Sequence, residues 1–344
     1  MKPKNDISVI LPVYDEEDII EKNVATLVDY LNKLQNKYSW ELIIVNDGSQ
    51  DKTGLLADRL AEKYDHVRVY HHHVNLNLGH AQRTGFRHAS GEGIIVMDID
   101  LSYSPDHIEK MADTLFHEHA EVVIASPYMP GGKCTAVPKK RLIASKVMNK
   151  IISYSVPGKI YTFTGMVRAY RAGFIKNLSL KASDYQINPE IIQKARILRA
   201  RIIEIPAHLD WSGQNNKENK RKSKLKIFKN IYAGLMTCFI FRPYLYFMTL
   251  GLVVLFVSLY IIGWIFYHTV TLMPELSIET EYFDDKFSYA LGIVFQNRPH
   301  AFLVGGFTFV IAVLVLGIGF LSLQTKRYFD ELFHLEKFQK NESG

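Results

Sequence analysis

The sequence predicts an α/β fold built on a doubly wound, mostly parallel sheet. Short apolar segments alternate with amphipathic segments of helical length along residues 7–206. Strands that alternate with helices of about 10–15 residues are typical of parallel sheets. Polar clusters follow several of the apolar segments, and the carboxyl ends of parallel strands lie along one edge of a sheet. We therefore expect these clusters to meet at that edge and to form the functional site.

The predicted elements follow one another in a regular order. Strands are predicted at residues 7–13, 41–45, 67–70, 94–97, 121–125 and 200–206. Helices are predicted at residues 15–37, 53–64, 78–89, 106–119, 139–155 and 183–194. The strands at 41–45 and 94–97 are continuous apolar runs, which indicates burial on both faces of the sheet. The acids at 15–18 are expected to lie in the first turn of the first helix, where they favour the helix dipole.

Two acids, Asp98 and Asp100, end the apolar run that begins at Ile94. Residues i and i+2 of a strand point the same way, so both carboxylates can face one point. Paired carboxylate oxygens suit a Mg²⁺ or Mn²⁺ ion that carries a diphosphate. The alternative is a pair of solvated acids that opens a turn before Pro105. The Asp-x-Asp pattern alone does not distinguish a metal site from a solvated turn. The other polar clusters at strand ends favour the metal site.

The C-terminal part of the chain has the composition of a membrane anchor. Residues 217–229 contain seven basic residues and one acid, Glu218. Apolar side chains recur beside these basic residues at helical spacing, which favours an interfacial helix on anionic lipid over a nucleic-acid patch or a solvated face. Two uncharged runs, at about 244–267 and 301–325, are long enough to cross a bilayer. Two buried core helices are the alternative.

These features divide the chain into four regions. The regions are a catalytic domain at 1–215, a basic juxtamembrane amphipathic helix at 216–242, a two-helix transmembrane hairpin at 243–325 and a tail at 326–344. Basic residues flank both outer ends of the hairpin, and acids dominate the segment between the spans. Because Lys and Arg are enriched in cytoplasmic flanks, the catalytic domain and both termini are predicted to be cytoplasmic.

The order of the polar motifs resembles that of family 2 glycosyltransferases, whose nucleotide-sugar-binding fold is called GT-A. The motifs are Leu11-Pro12-Val13-Tyr14-Asp15-Glu16, Asn46-Asp47-Gly48-Ser49, Asn77-x-Gly79 and Asp98-x-Asp100. Later motifs resemble those of the polyprenyl-phosphate hexose synthases, a subgroup that includes dolichyl-phosphate mannose synthase and bacterial undecaprenyl-phosphate glucosyltransferases. They are Ser126-x-Tyr128-x-Pro130-Gly131-Gly132, Thr164-Gly165-x-x-Arg168-Ala169-Tyr170 and Ser223-Lys224-Leu225. The resemblance covers about residues 7–229.

The resemblance implies a role for each matched residue. Those expected to hold the base and ribose of a UDP- or GDP-hexose are Pro12, Tyr14, Glu16 and Asp47. Asp98 and Asp100 would bind the Mg²⁺ or Mn²⁺ ion that bridges the diphosphate, with Asp100 as the more direct ligand. The cations expected to hold the phosphate of a polyprenyl acceptor near the membrane are Arg141, Arg168, Arg221 and Lys224.

The sequence departs from the subgroup pattern in three places. Asn46 stands where the subgroup usually has Asp, and Pro127 stands where it usually has Arg. The last motif is reduced to Lys220-Arg221-Lys222-Ser223-Lys224 and lacks its glycine. We expect these changes to affect the donor sugar first and the acceptor to a lesser degree.

The expected reaction is inversion at the anomeric carbon by attack of a lipid phosphate oxygen. A phosphate monoester has a second pKa of about 6, so it needs positioning and charge balance but no general base. A hydroxyl acceptor would need a base, and the candidate is Asp184. The alternative for Asp184, which we favour, is a cap at the start of the helix predicted at 183–194.

Two other classes of function remain open. One is a membrane-bound glycosyltransferase of a polysaccharide or glycolipid that acts on a hydroxyl with Asp184 as base. The other is a non-enzymatic membrane scaffold, which the intact acids Glu16, Asp47, Asp98 and Asp100 disfavour. The sequence disfavours a dinucleotide-binding domain, because no Gly-x-Gly-x-x-Gly follows the first strand. No nucleic-acid partner is expected, and self-association of the spans into a homo-oligomer is compatible with the two-span anchor.

Overall fold

The computed structural model describes residues 5–153, 159–212, 239, 242–276 and 282–342. The chain forms two compact units, Met1–Thr237 and Cys238–Gly344. We call them the first and the second unit. The helix expected at 216–242 falls almost wholly outside the described residues, and so do the predicted site residues Arg221 and Lys224.

The first unit contains nine strands in its described part. They are β1 (Asn5–Val13), β2 (Tyr38–Asn46), β3 (Val67–His71), β4 (Gly93–Val96), β5 (Val122–Ser126), β6 (Lys133–Thr135), β7 (Arg168–Arg171), β8 (Ile202–Pro206) and β9 (His208–Asp210). Seven of them form one sheet in the order β3-β2-β1-β4-β7-β5-β8, and β6 pairs with β9. The pairs within β3-β2-β1-β4 and the pair β5-β8 are parallel, whereas β7 is antiparallel to both of its neighbours.

Helices flank this sheet. They are α1 (Ile20–Lys33), α2 (Thr53–Lys63), α3 (Leu78–His88), α4 (Asp106–His117), α5 (Lys139–Ser153), α6 (Ala172–Ile175) and α7 (Ile187–Ile197). The core forms where α1 and α4 cover the sheet, and apolar side chains such as Leu11, Leu27, Ile44 and Met111 are fully buried there. The predicted doubly wound, mostly parallel sheet is confirmed.

Several element boundaries differ from the sequence prediction. α1 begins at Ile20, so the acids at 15–18 precede the helix and serve the loop instead of the first turn. The segment 168–171, which carried no strand prediction, is the antiparallel strand β7. α7 begins at Ile187, four residues after the predicted start, because Ser183 and its neighbours are used by contacts to α3. The short strands β6 and β9 carried no strand prediction either.

The second unit contains two long apolar helices. They are α8 (Pro243–Leu272), which ends in a 3₁₀ turn at Met273–Glu275, and α10 (Pro299–Glu342). Two stretches, Pro243–Glu275 and Pro299–Phe329, are long and apolar enough to cross a membrane, with mean hydropathies of 2.4 and 2.6. Only 11% and 17% of these apolar stretches are buried. Length and composition thus support two candidate spans.

Small residues bring α8 and α10 close together. A Cβ atom added to Gly251 would lie 2.7 Å from the Leu316 side chain, and one added to Gly305 would lie 3.0 Å from Ile261. The Ser258 hydroxyl donates to the carbonyl of Gly305 at 3.0 Å. Small residues and serine hydroxyls are typical of the contacts between membrane helices. The two helices therefore form an antiparallel hairpin within the second unit.

The segment between the two long helices is not simply the loop that the sequence indicated. It contains a helix, α9 (Phe283–Asn297), with buried Ala290 and Val294. α10 also continues well beyond the predicted span and through most of the expected tail, to Glu342. Two acids of this segment, Asp284 and Asp285, occupy the first turn of α9, where they favour the helix dipole.

Candidate functional site

The loops after β1 and β2 are tied together by hydrogen bonds. The amide of Asp15 donates to Ser49 Oγ at 3.0 Å, and the amide of Gln50 donates to Asp15 Oδ1 at 2.8 Å. The amide of Glu16 donates to Thr53 Oγ1 at 2.8 Å. Asp15 has a φ of 53°, a conformation that acids tolerate better than most side chains. These contacts fix the loop that carries Tyr14 and Glu16.

Asp47 is buried and held from two sides. Its Oδ1 atom lies 2.7 Å from Nδ1 of His72 and accepts the amide of Leu76 at 3.0 Å. The other ring nitrogen of His72 lies 2.9 Å from the hydroxyl of Thr84. Asp47 is 4% exposed, and its backbone amide donates to the carbonyl of Val13. Its carboxylate therefore has one fixed orientation at the end of β2.

Asn46 has a definite place in this structure. Its Oδ1 accepts the amide of Ser49 at 3.1 Å, and its amide nitrogen lies 3.0 Å from Nδ1 of His71. The Nε2 atom of His71 lies 2.9 Å from Asp58 Oδ1. An amide nitrogen can only donate, so His71 accepts at Nδ1 and donates from Nε2. An aspartate at position 46 would lack that donor, so Asn46 and His71 suit each other.

Asp98 and Asp100 lie in a turn that follows β4. The strand ends at Val96, and the amide of Leu101 donates to the carbonyl of Asp98 at 3.3 Å. The amide of Ser102 donates to Asp100 Oδ1 at 2.9 Å. The acids follow the strand, as predicted, but the chain turns there and Leu101 adopts a φ of 50°, so the i, i+2 geometry of a strand does not describe their orientation.

The turn still brings negative charge together. Burial, together with the negative charges of Asp100 and Glu16, raises the pKa of Asp98 from 3.8 to about 8. A raised pKa means that the protein disfavours the ionised form of the carboxyl unless a cation compensates its charge. Three acids from the loops after β1 and β4 therefore act on one another at the carboxyl edge of the sheet.

This donor set suits a divalent cation. Among the residues that the structure describes, no three His, Cys, Asp or Glu side chains form a preassembled metal site. Mg²⁺ keeps several waters and is usually bound by one or two carboxylates together with substrate phosphates. The mutual repulsion of Asp98, Asp100 and Glu16 is what such a cation would relieve. The residues present therefore fit a metal that binds together with a diphosphate.

Two other residues expected to contact the nucleotide, Pro12 and Tyr14, lie at the end of β1 and in the loop that follows it. Pro12 is near the end of β1 and partly buried, and Tyr14 is 36% exposed.

At the start of α3, the amide of Gly79 donates to the carbonyl of Ser183 at 2.8 Å. A Cβ atom at Gly79 would lie 2.4 Å from the carbonyl oxygen of Ala182, so only glycine allows this approach.

Arg168 lies on β7 and is fully buried. Its guanidinium donates to the carbonyls of Asn188 at 2.7 Å and Phe163 at 2.6 Å. Burial lowers its pKa. Phosphate binding by this side chain would require the two carbonyl contacts to break. In this structure Arg168 instead joins β7 to the start of α7 and to the loop that contains Phe163.

Arg141 is placed differently from Arg168. It is exposed near the start of α5, with its guanidinium carbon 5.1 Å from the centre of the Trp211 ring. Such stacking is favourable and leaves the edge of the guanidinium available to an anion. Of the two predicted phosphate-binding arginines that the structure describes, Arg141 is the accessible one.

Asp184 precedes α7 and contacts its own backbone. Its Oδ1 accepts the amide of Gln186 at 3.0 Å, and its carbonyl accepts the amide of Ile187 at 3.1 Å. An aspartate that bonds to an amide two residues on stabilises a turn. The expected cap at Ser183 or Asp184 is wrong, because α7 begins at Ile187 after Gln186 and has no side-chain capping hydrogen bond. Asp184 instead stabilises the turn before the helix.

Two side-chain contacts that fix loops or a predicted site residue were missed by sequence reasoning. The carboxylate of Glu204 accepts the amides of Tyr161 and Thr162 at 2.8 and 2.9 Å, which holds the loop before β7. His72 orients Asp47, although the run of three histidines gave only a general expectation that one of them faces the crevice. Alternation along the strand end was the available signal, since His71 and His72 contact different partners.

Comparison with known proteins places this arrangement among glycosyltransferases. The family model described as glycosyl transferase family 2 matches residues 8–179. The chain is 27% identical over 229 residues to the dolichol-phosphate mannosyltransferase of Pyrococcus furiosus, a match that covers 66% of this chain and 62% of that protein. It is 31% identical over 188 residues to the polyprenol monophosphomannose synthase of Mycolicibacterium smegmatis, over 54% of this chain and 68% of that protein.

A solved structure has a similar fold. Glucosyl-3-phosphoglycerate synthase from Mycobacterium tuberculosis, crystallised with Mn²⁺, uridine diphosphate and phosphoglyceric acid, gives a TM-score of 0.50 at 18% identity. The similarity covers 68% of this chain and 78% of that chain. The predicted GT-A fold class is confirmed.

Proposed function

Because the chain belongs to glycosyl transferase family 2, we propose that it moves a hexose from a nucleotide-diphosphate sugar to a polyprenyl phosphate. The product would be a lipid-phosphate-linked sugar made at the cytoplasmic face of a membrane. The observation that carries the proposal is the acid cluster of Asp98, Asp100 and Glu16 at the carboxyl edge of the sheet. Relatives named for transfer to dolichol and polyprenol phosphates support the acceptor class.

The nucleotide would lie along the loops after β1 and β2. The fixed carboxylate of Asp47 can accept a hydrogen bond from the base, while Pro12 and Tyr14 offer an apolar surface for it. Glu16, on the same loop, would accept a hydrogen bond from the ribose. The interlocked loops keep these groups in position before the donor binds, which lowers the entropy lost on binding.

The diphosphate of the donor would lie against Asp98 and Asp100. A Mg²⁺ or Mn²⁺ ion bound there would neutralise the charge that develops on the departing nucleoside diphosphate. Asp100, with Oδ1 held by the amide of Ser102, presents a fixed carboxylate to such an ion. Burial and two neighbouring acids oppose the ionisation of Asp98 and raise its pKa, and a cation bound there would relieve this opposition.

The acceptor side has a basic helix. One face of α5 exposes four lysines and two apolar side chains and carries no acid. These residues are Lys139, Lys140, Ile143, Lys146, Val147 and Lys150. A helix face of this kind is suited to the surface of an anionic membrane, where a lipid phosphate is found. Arg141, at the start of the same helix, is our candidate for the cation that binds the acceptor phosphate.

The proposed mechanism is direct displacement with inversion. A phosphate oxygen of the lipid attacks the anomeric carbon from the face opposite the leaving diphosphate. Because the lipid phosphate is mostly dianionic near neutral pH, no side chain has to remove a proton. Arg168 would act as a positioning residue that holds the loop at Phe163, and Arg221 and Lys224 remain proposed phosphate ligands outside the described residues.

The alternative acceptor is a hydroxyl group, with Asp184 as the base. The contact between Asp184 and the amide of Gln186 favours a structural role for this carboxylate. We therefore place the phosphate acceptor first.

The hairpin of α8 and α10 would anchor the enzyme with two spans and with both termini in the cytoplasm. The proposed division of the chain into four regions has boundaries near 215, 242 and 325.

A transfer assay tests this function and identifies the donor. The full chain in detergent would receive radiolabelled UDP- and GDP-hexoses, polyprenyl phosphate and Mg²⁺ or Mn²⁺. We expect one donor to give a lipid-linked sugar that mild acid releases, and no product when a chelator replaces the metal. Hydrolysis of a donor without labelled lipid would contradict the acceptor. Failure of every nucleotide to bind would contradict the enzymatic function itself.

A further inference from the structure

An apolar groove lies on the second unit, where α8 ends and α10 begins. Its volume is about 250 Å³. The lining residues are Tyr260, Ile261, Trp264, His300, Ala301 and Val304. Most of these side chains are aromatic or aliphatic, and Trp264 and Tyr260 are well exposed. Trp and Tyr are enriched where a membrane span meets the water interface.

A cation lies at the edge of this groove. The guanidinium carbon of Arg298 is 4.4 Å from the centre of the Trp264 ring. In the part of the chain that the structure describes, Arg298 forms no ion pair, and its side chain has this ring contact alone. A guanidinium has five donor hydrogens, so this one has capacity for an anion that bonds to it in the plane of the group.

The start of a helix adds positive potential at the same place. Arg298 directly precedes α10, whose first residue is Pro299, and the start of a long helix carries a partial positive charge. His300, on the rim of the groove, is exposed and one residue further along. An apolar groove is complementary to an amphiphile with an anionic head when its mouth carries a helix start, a histidine and an arginine that forms no ion pair with the residues that the structure describes.

We propose that this groove binds an anionic phospholipid. One acyl chain would lie between Tyr260 and Val304, and the phosphate would contact Arg298 and His300. The proposal rests on the insertion of the hairpin into a membrane, and it is independent of the sugar transfer assigned to the first unit. In a hairpin with two spans, this end lies in the leaflet opposite to the one reached by Arg242 and Lys326, so the lipid differs in place from the proposed acceptor.

Tryptophan quenching by brominated lipids tests the proposal. The full chain would be reconstituted in phosphatidylcholine vesicles that contain a small fraction of brominated phosphatidylglycerol or, in a parallel sample, brominated phosphatidylcholine. The contribution of Trp264 is the difference between the wild type and Trp264→Phe, since the other two tryptophans, Trp40 and Trp211, lie in the first unit. We expect the anionic lipid to quench Trp264 at a roughly fivefold lower mole fraction, the size expected for one basic residue at an anionic surface.

Matched variants separate the site from a general charge effect. Arg298→Gln should abolish the preference for the anionic lipid, Arg298→Lys should keep part of it, and Lys286→Gln, a lysine of α9 outside the groove lining, should leave it unchanged. The ratio between the two lipids is compared within each variant, because loss of the ring contact alone changes the emission of Trp264.

Four results would overturn the proposal. They are equal quenching by the two lipids in the wild type, a preference that survives Arg298→Gln, a preference lost equally in Lys286→Gln, and absence of quenching by either lipid. An Asp100→Asn variant should retain the lipid preference while losing transfer. Failure of this site and failure of the proposed glycosyl transfer are therefore distinguishable in the same vesicles.

Discussion

The two halves of the sheet use polar side chains in different ways. In the half formed by β1 to β4, they join one loop to another and leave acids partly exposed at the edge, as with Asp15 and Asp100. In the half formed by β5, β7 and β8, they hold backbone, as with the buried Arg168 and the half-buried Glu204. We call these the donor half and the acceptor half.

The difference shows what a residue type reveals about its role. Acids that follow parallel strands are placed by topology, so their position at the edge follows from the order of the strands. A basic residue in the acceptor half has two possible uses, since a guanidinium binds a carbonyl as well as a phosphate. Exposure then favours the proposed ligand role for Arg141, which is exposed, and a structural role for Arg168, which is buried.

The largest effect is expected in the donor half. Asp100→Asn should lower the rate of transfer roughly 10³-fold, because it removes a charged ligand for the cation that stabilises the leaving diphosphate. The matched control is Asp106→Asn in α4, an acid paired with Lys110 and away from the proposed metal site. Initial rates at saturating donor measure both variants. Equal losses would indicate that charge in this region matters and that Asp100 has no special role.

The acceptor half should respond in stability first. Arg168→Met leaves the carbonyls of Phe163 and Asn188 without their buried donor, and we expect the free energy of unfolding to fall by about 3 kcal/mol. Arg141→Gln should leave stability unchanged and raise the KM for polyprenyl phosphate about tenfold. Denaturant unfolding and acceptor titrations make the comparison. A stable Arg168→Met protein with a raised acceptor KM would reverse the two assignments.

The acid cluster should make the metal-free protein sensitive to pH. The carboxyl of Asp98 has a reference pKa of 3.8 and a folded pKa of about 8. Between these values the folded state binds more protons than the unfolded state, so its stability falls as the pH rises. Asp98→Asn should remove this slope and raise the free energy of unfolding by about 1 kcal/mol or more near pH 8.

Asp106 is the control for the pH prediction, because its pKa is shifted in the opposite direction to that of Asp98. Burial alone would raise the pKa of Asp106, but hydrogen bonds from Lys110 and Ser104 outweigh it and lower the pKa. Its contribution to stability is therefore lost as the pH falls, and Asp106→Asn should not flatten the slope seen above pH 5. Thermal unfolding midpoints in the presence of a chelator measure the slopes. An unchanged slope in Asp98→Asn would argue against the clustering of acids.

The smallest effect concerns the orientation of Asp47. His72→Phe keeps an aromatic ring and removes the hydrogen bond to Asp47, and we expect nucleoside diphosphate binding to weaken about fivefold, as for the loss of one hydrogen bond. His73→Phe changes the exposed neighbour and should bind as the wild type does. Calorimetric titration with metal present measures both affinities. Equal weakening in the two variants would remove the positioning role of His72.

Sequence reasoning succeeded where one rule determines the outcome. The six parallel strands of the main sheet were predicted from short apolar segments, of which those at 41–45 and 94–97 are continuous apolar runs. The position of Asp98 and Asp100 at the edge of the sheet follows from their place after one of these strands. The turn at Leu101 escaped prediction because a φ of 50° in a leucine depends on surrounding contacts. The antiparallel strand β7 escaped for a similar reason, since Arg168 gives it the appearance of a polar segment.

The other errors of the sequence prediction concern the burial of Arg168 and the start of α7. The sequence does not show that Arg168 faces two carbonyls, because one acceptor, Asn188, is 20 residues away and the other, Phe163, belongs to an irregular loop. α7 starts later than predicted because the carbonyls of Ala182 and Ser183 contact Arg83 and Gly79 of α3. Tertiary contacts of this kind override local capping preferences.

The most direct test of the account compares two acceptors that differ in one group. Polyprenyl phosphate and the corresponding polyprenol would be supplied to the full chain with the active donor and metal, for the wild type and for Asp184→Asn. We predict labelled lipid from the phosphate alone, and at a similar rate in both proteins, because a phosphate oxygen needs no base. Labelled polyprenol, with transfer that Asp184→Asn abolishes, would contradict the account and establish a hydroxyl-directed enzyme.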